Sequence, residues 1–200
     1  MHLISRICLI FIVVFPSCRP ENKSKKIQSS PIFKAKPVPL VVGAGDLLQI
    51  DSFNDKLPSG TFFVSETGHI NYPFLGKIKV GDKKLEDVNK FIIDKLKDGF
   101  FRNPMITVTF KANTSQKITI YGNVKNPQIM PYQPEITFLQ AITMAGGLSK
   151  QAARDAITIM RKYKGKNFRV RISIDDIIEG RTSDFYLLPG DIIIVGESLL

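Results

Sequence analysis

Apolar and polar positions alternate over Leu47-Leu48-Gln49-Ile50-Asp51-Ser52-Phe53, behind the turn Gly43-Ala44-Gly45-Asp46, and predict a strand. Thr61-Phe62-Phe63-Val64 and His69-Ile70-Asn71-Tyr72 flank Ser65-Glu66-Thr67-Gly68, so the two runs are expected to pair as a hairpin. The period then changes. Leu85, Val88, Ile92 and Leu96 recur at helical spacing, with Asp82 as the expected N-cap and Gly99 as the stop. Glu86 and Asp87 fall in the opening turns, where the helix dipole favours anions. Met105 to Lys111 alternates again with β-branched residues and predicts a strand.

A second run of elements begins with the strand-like Lys117 to Val124, followed by a loop carrying Pro127, Pro131 and Pro134. Thr137 can cap a helix through Ala145, with Leu139, Ile142 and Met144 apolar and Gly146-Gly147 beyond its end. Strands are expected at Ile157–Met160 and Phe168–Ile172, and a short helix near Ile174–Ile178 closed by Gly180. Ile192-Ile193-Ile194-Val195 lacks alternation, so this last strand is expected to be covered on both faces. The pattern gives an α+β fold of two small β-rich domains, at 40–113 and 114–200, the second with a β-grasp-like layout of a small sheet crossed by one helix.

Composition narrows the class. The 200 residues are 44% apolar and carry two Cys and no Trp, which excludes disorder along the whole length and a disulfide scaffold. No apolar run reaches the roughly 18–20 residues of a bilayer span. The formal charge of +10 is concentrated near the start. Residues 18–39 hold six Lys and Arg against Glu21, which leaves 21 basic and 17 acidic side chains in residues 40–200. A nucleic-acid-binding domain would keep a basic stripe on its folded face, so no nucleic-acid partner is expected.

The chain opens with Arg6 and an apolar run from Ile7 to Phe15, then Pro16-Ser17-Cys18. A basic start, about nine apolar residues and a small residue before the cut read as a signal peptide over residues 1–17. A cysteine directly after the small Ser17 resembles a bacterial lipobox, which implies an S-diacylglycerol and an N-acyl group on Cys18. Phe15 stands where such sites usually have Leu. Arg19, where inner-membrane lipoproteins often carry Asp, points to the outer membrane. Cys8 leaves with the signal peptide, so the mature chain has one thiol and no internal disulfide. From Arg19 to Pro39 the sequence is rich in Lys and Pro and reads as a linker, able to reach roughly 60 Å where it is polyproline-like.

Reactive constellations are sparse. The mature chain has a single histidine, His69, beside the expected hairpin, and no Cys/His/Asp spacing builds a metal site. Nothing in the sequence activates Cys18 as a nucleophile, and the carboxylates are scattered, so no enzyme, metal or cofactor is expected. Gly45-Asp46 and Gly190-Asp191 each precede an apolar strand and are structural turns: Gly accepts positive φ, and Asp bonds nearby backbone. Neither has the spacing of a phosphate loop. Asn71, Asn103 and Asn113 suit a sugar-lined wall by type alone, and Tyr121 and Tyr132 could stack on sugars, though turns and packing account for all five.

The order of these pieces resembles the bacterial polysaccharide export protein family. Val42-Gly43-Ala44-Gly45-Asp46-Leu47-Leu48-Gln49-Ile50, the segment from Val64 through Gly68-His69-Ile70 and Pro73 to Gly76-Lys77-Ile78, the helix with Leu85, and Asn103-Pro104-Met105-Ile106-Thr107-Val108 resemble its export domain. Ile120-Tyr121-Gly122-Asn123-Val124, Pro127, Thr137-Phe138-Leu139-Gln140-Ala141, Ala145-Gly146-Gly147, Ile159-Met160-Arg161 and Leu188-Pro189-Gly190-Asp191 resemble the soluble-ligand-binding β-grasp (SLBB) domain that follows it. Gln128 stands after Pro127 where the family often has Gly, and one β-grasp unit is present where longer members carry more.

The resemblance implies a capsule or exopolysaccharide export component, lipid-anchored in the outer membrane and facing the periplasm. Its implied partners are the polysaccharide, further copies of itself and an inner-membrane co-polymerase or chain-length regulator. The sequence ends just past the last strand, without the C-terminal amphipathic helix by which some members pierce the outer membrane. That implies a short form, a periplasmic ring tethered by lipid. One such subunit is too small to enclose a wet channel, so the lumen must come from copies joined head to tail. Two alternatives stand beside this reading: a small-ligand-binding periplasmic lipoprotein, and an adaptor to a separate outer-membrane β-barrel.

Overall fold

A computed structural model of the chain describes residues 35–53 and 56–198. The expected signal peptide, Cys18 and most of the Lys- and Pro-rich stretch lie outside the described residues. The first unit runs β1 (Leu47–Ser52), β2 (Gly60–Phe63), β3 (His69–Tyr72), β4 (Gly76–Lys79), α1 (Leu85–Lys97) and β5 (Ile106–Ala112). The second runs β6 (Lys117–Gly122), β7 (Gln128–Pro131), α2 (Phe138–Met144), β8 (Ala152–Tyr163), β9 (Lys166–Ile172), α3 (Ile174–Ile178) and β10 (Ile192–Glu197). The architecture is α+β, in two small β-rich units.

In the first unit β1 is central, with β2 and β5 antiparallel on its two edges, and β3–β4 form a separate two-stranded ribbon. The alternation in β1 buries Leu48 and Ile50, which meet Val88, Ile92 and Leu96 of α1 in one core with Ile106 and Val108 of β5. Each such aliphatic side chain contributes about 1.5–3 kcal/mol when fully buried. This places α1 across the sheet by its apolar stripe.

Three expectations are corrected here. The Ser65–Gly68 turn exists, closed by Gly68 N donating to Ser65 O, but its flanking strands do not form a ladder with each other. β2 is taken by β1, where Leu48 pairs with Phe62, and β3 is taken by β4. Between the two sides of the turn the backbone bond is Ser65 N to His69 O (2.8 Å), and the ladder is not continued beyond it. Asp82 is not the N-cap of α1: the cap position is Lys84, without a side-chain bond. Gly81-Asp82 instead form a turn bound to Val42, with Asp82 N donating to Val42 O and Val42 N donating to Lys83 O, both at 2.8 Å. That pairing, with Asp82 at φ 64°, postpones the helix to Leu85.

The second unit has the strand order β7-β6-β10-β8-β9. All its pairings are antiparallel except β6–β10, which joins residues some seventy positions apart in parallel. On the inner face Ile118, Ile120, Ile157, Ile159, Ile193 and Val195 pack under α2 and α3. α2 starts as expected: Thr137 Oγ1 accepts from Gln140 N, and Gln140 Oε1 accepts from Thr137 N, a capping box. β10 supplies the third correction. It is hydrogen-bonded on both edges, but only one face is covered, and Ile192 and Ile194 lie on the open side. Its unbroken apolar run reports a central position in the sheet, not a two-sided core.

Candidate functional site

The joint between the units is four residues long, from Asn113 to Gln116 between β5 and β6. It is fixed from the first unit by Asp46, which is fully buried. Asp46 Oδ1 accepts from Thr114 N (2.9 Å) and Ser115 N (2.8 Å), while Oδ2 accepts from Gly43 N and Ser115 Oγ (both 2.8 Å). Four donors on one carboxylate leave little lone-pair capacity unused, which is how a buried charge is tolerated without a counter-ion. Gly45 takes φ 88°, as the turn requires. The expected backbone bond of the Gly45-Asp46 turn is therefore present as Gly43 N to Asp46, together with three bonds across the joint.

The stretch entering the first unit also crosses onto the second. Tyr132 is buried, and its hydroxyl accepts from Val38 N (3.2 Å) and donates to Val38 O (2.9 Å). Gln116 Oε1 accepts from Val41 N, Gln116 O accepts from Tyr132 N, and Leu40 packs against the second core. Burial pushes the Tyr132 phenol above its ordinary range, against the opposing pull of its bond with Val38. Tyr132 is thus a clamp on residue 38 and is not open for stacking.

The other Gly-Asp turn carries a buried ion pair. Asp191 accepts from Arg161 Nε (2.9 Å) and Nη2 (2.6 Å), and from Leu188 N (2.7 Å). Arg161 Nη2 also donates to Tyr186 O. Both side chains are about 1% exposed. Burial pushes the Asp191 carboxyl up, while the Arg161 guanidinium pulls it down. Sequence reasoning missed this pair, although a signal was present. Ile157, Ile159 and Arg161 share one face of a strand, and a charge at the third buried position of an apolar row needs a partner.

The remaining candidates sit on separate elements. Tyr121 is exposed on the open face of β6. Asn71 and Asn103 are exposed, and Asn113 is half-buried in the joint, where its Oδ1 accepts from Gln116 N. His69 Nδ1 lies 3.1 Å from Thr67 Oγ1, and the ring edges a shallow groove of 380 Å³ with Phe63, Asn71 and Lys77. A wider open groove of 590 Å³ runs beside α2, lined by Pro134, Glu135, Ile136, Leu139 and Met144. Among the described residues no three His, Cys, Asp or Glu side chains gather as metal ligands, and no helix is long and apolar enough to cross a membrane.

Two packed modules locked at a short joint by a buried carboxylate define a two-module α+β scaffold. Residues 34–111 match the sequence profile of the polysaccharide biosynthesis/export proteins, and residues 117–171 match that of the SLBB domain. With both profiles in order over about two thirds of its length, the chain belongs to the polysaccharide export protein family. Among similar proteins, the EPS I polysaccharide export outer membrane protein EpsA of Ralstonia nicotianae is 29% identical, over 58% of this chain and 36% of its own length. The exopolysaccharide production protein ExoF of Rhizobium meliloti is 26% identical, over 46% of this chain and 22% of its own. The polysialic acid transport protein KpsD of Escherichia coli is 22% identical, over 78% of this chain and 28% of its own. The chain thus spans about a third or less of the length of these relatives.

Proposed function

We propose that the protein is a ring-forming periplasmic component of a capsular or exopolysaccharide export route, held to the outer membrane by lipid on Cys18. In this reading residues 1–17 are a cleaved signal peptide and 18–39 a lipidated tether. Residues 40–113 form the export domain and 114–200 the β-grasp domain. The protein breaks and makes no bond. It passes polymer from an inner-membrane co-polymerase complex toward the outside, and copies joined head to tail enclose the path. The observation that carries this reading is the pair of family profiles matched in order along one chain. The names of the relatives, one a polysaccharide export protein, one an exopolysaccharide production protein and one a polysialic acid transport protein, agree with it. The joint at Asp46 supports it further, since two modules that hold a fixed angle can stack into a closed circle.

The test is deletion of the gene, followed by assay of secreted and periplasmic polysaccharide. Secretion is expected to fall while polymer accumulates in the periplasm; unchanged secretion removes the reading. Cys18→Ser tests the anchor separately: the variant is expected to leave the membrane fraction, and continued membrane fractionation overturns the lipid tether. One observation favours a second reading, a small-ligand-binding lipoprotein. The 590 Å³ groove beside α2 holds Glu135 at φ 66°, a conformation that side chains rarely adopt. A ligand bound there by a chain that remains monomeric would favour it.

A further inference from the structure

The open face of the five-stranded sheet carries a largely apolar band, with Thr119 within it, that follows the ladder register. Ile129 of β7 stands opposite Thr119 of β6, Thr119 opposite Ile192 of β10, and Ile192 opposite Met160 of β8. One row on, Tyr121 stands opposite Ile194. Ile129 and Tyr121 are 63% and 66% exposed. At about 4.8 Å per strand this band crosses four strands, or roughly 14 Å. Single exposed apolar residues are ordinary on a surface, whereas a band of them marks an interaction site.

The band ends on a basic edge. Met160 is opposite Arg169, and Thr158 is opposite Arg171, on the same open face. The tip of the β8–β9 hairpin, residues 162–171, holds five Lys and Arg, of which Arg171 is engaged by Asp155 of β8. The other side of the unit has the reverse character. α3 buries Ile174 and Ile177 against the inner face and leaves Ile178, at its C-terminal end, 60% exposed. Residues 174–184 hold four Asp and Glu; Arg154 pairs with Asp175, and Arg181 with Asp176 and Glu179, which leaves this side an excess of two negative charges. One unit therefore presents an apolar surface with a basic edge on its sheet side and an exposed isoleucine among acids on its helix side.

We infer that these are the two halves of one self-association contact: the α3 side of one copy seats on the open sheet face of the next. A second copy is the occupant because the same chain supplies both complementary charges. Because the two surfaces lie on opposite sides of the unit, each docked copy leaves one of each free. That is a heterologous contact, the kind that propagates and can close into a ring. The charge complementarity steers and orients the approach, and the apolar band excludes water at the centre. The inference rests on the proposed ring, and names the surfaces that build it.

The experiment uses the full lipidated chain in detergent, with mass measured by size-exclusion chromatography and light scattering. Ile129→Glu spoils the sheet face and Ile178→Glu the helix side. Each variant alone is expected to be monomeric under conditions where the wild type assembles. Mixed in equal amounts they are expected to form a two-copy species and nothing larger, because one contact joining an intact helix side to an intact sheet face remains. That recovery also shows that both variants are folded, and Tyr121→Asp in place of Ile129→Glu should give the same result. A wild type that stays monomeric overturns the ring itself. If the wild type assembles and either variant assembles equally well, the ring survives and these surfaces are wrong. A mixture that stays monomeric beside an assembling wild type overturns the pairing of these two faces.

Discussion

Ser115 donates twice to the Asp46 carboxylate, from its backbone nitrogen to Oδ1 and from its hydroxyl to Oδ2, each at 2.8 Å. The two residues are 69 positions apart, Asp46 in the first unit and Ser115 in the joint, so this pair fixes a segment that neither unit's own core holds. Asp46→Asn replaces one accepting oxygen with a donor. A serine hydroxyl can turn to accept, but the nitrogens of Gly43, Thr114 and Ser115 cannot. The variant should lose about 2–3 kcal/mol, the scale of a buried donor left facing a donor. Urea unfolding measures the loss, and limited proteolysis should cut faster within residues 113–116. Resistance equal to wild type would show that the joint does not depend on this carboxylate.

The Arg161–Asp191 pair calls for a double-mutant cycle. Arg161→Met leaves a buried carboxylate with Leu188 N as its remaining named donor, and Asp191→Leu leaves a buried guanidinium. Each single change should cost about 3–5 kcal/mol, because an uncompensated buried charge remains. The double variant should cost clearly less than their sum, since no lone charge is left inside. It should still fall short of wild type, because Leu188 N and Tyr186 O lose their partners. Strict additivity would mean that the two side chains act independently.

What the sequence carried and what it hid divide along chain distance. The stripe of Val88, Ile92 and Leu96 and the Thr137–Gln140 capping box are complete within a few turns of chain, so spacing alone places α1 and α2. The parallel β6–β10 ladder is not local, and no periodicity records that Ile193 lies beside Ile120. The same limit explains the mistaken hairpin. The Ser65–Gly68 turn signal is real, but β2 finds its ladder partner in β1 and β3 finds its own in β4, neither of which the turn records. Of the candidate site, Asp46 and Asp191 were legible as turn residues, while their roles as clamps depend on Ser115 and Arg161, which come near them only after folding.

Gly122 shows how closely that non-local ladder is fitted. It has φ 93°, and a Cβ placed there would lie 2.1 Å from the carbonyl oxygen of Val195. That oxygen accepts from Asn123 N, so moving it away breaks the end of the β6–β10 pairing. Gly122→Ala combines an unfavourable left-handed backbone with an overlap that only a backbone shift can relieve, together about 3 kcal/mol. For a chain of this size the melting temperature should fall by roughly 6–12 °C. A fall of a degree or less would mean that β10 can slide without loss.

Two buried tyrosines should respond in opposite ways to the loss of a hydroxyl. Tyr132 OH makes both bonds to Val38, whereas the Tyr72 hydroxyl is buried without a hydrogen-bond partner. Tyr132→Phe should therefore cost about 1–2 kcal/mol and speed amide exchange at Val38, while Tyr72→Phe should be neutral or stabilising, because it removes an unsatisfied polar atom. Alkaline pH gives an independent check. Burial raises both phenols above 10.0, so the neutral forms belong to the folded state. The stability tied to each is fully present below pH 10 and is lost as the pH rises through the raised folded values. The double Phe variant has no such groups to ionise, and its alkaline unfolding midpoint, followed by circular dichroism, should lie higher than that of the wild type. Tyrosinate absorbance should show the wild type's last two phenols ionising together with unfolding. Ionisation of all phenols near pH 10 with the fold intact would mean that water reaches both rings.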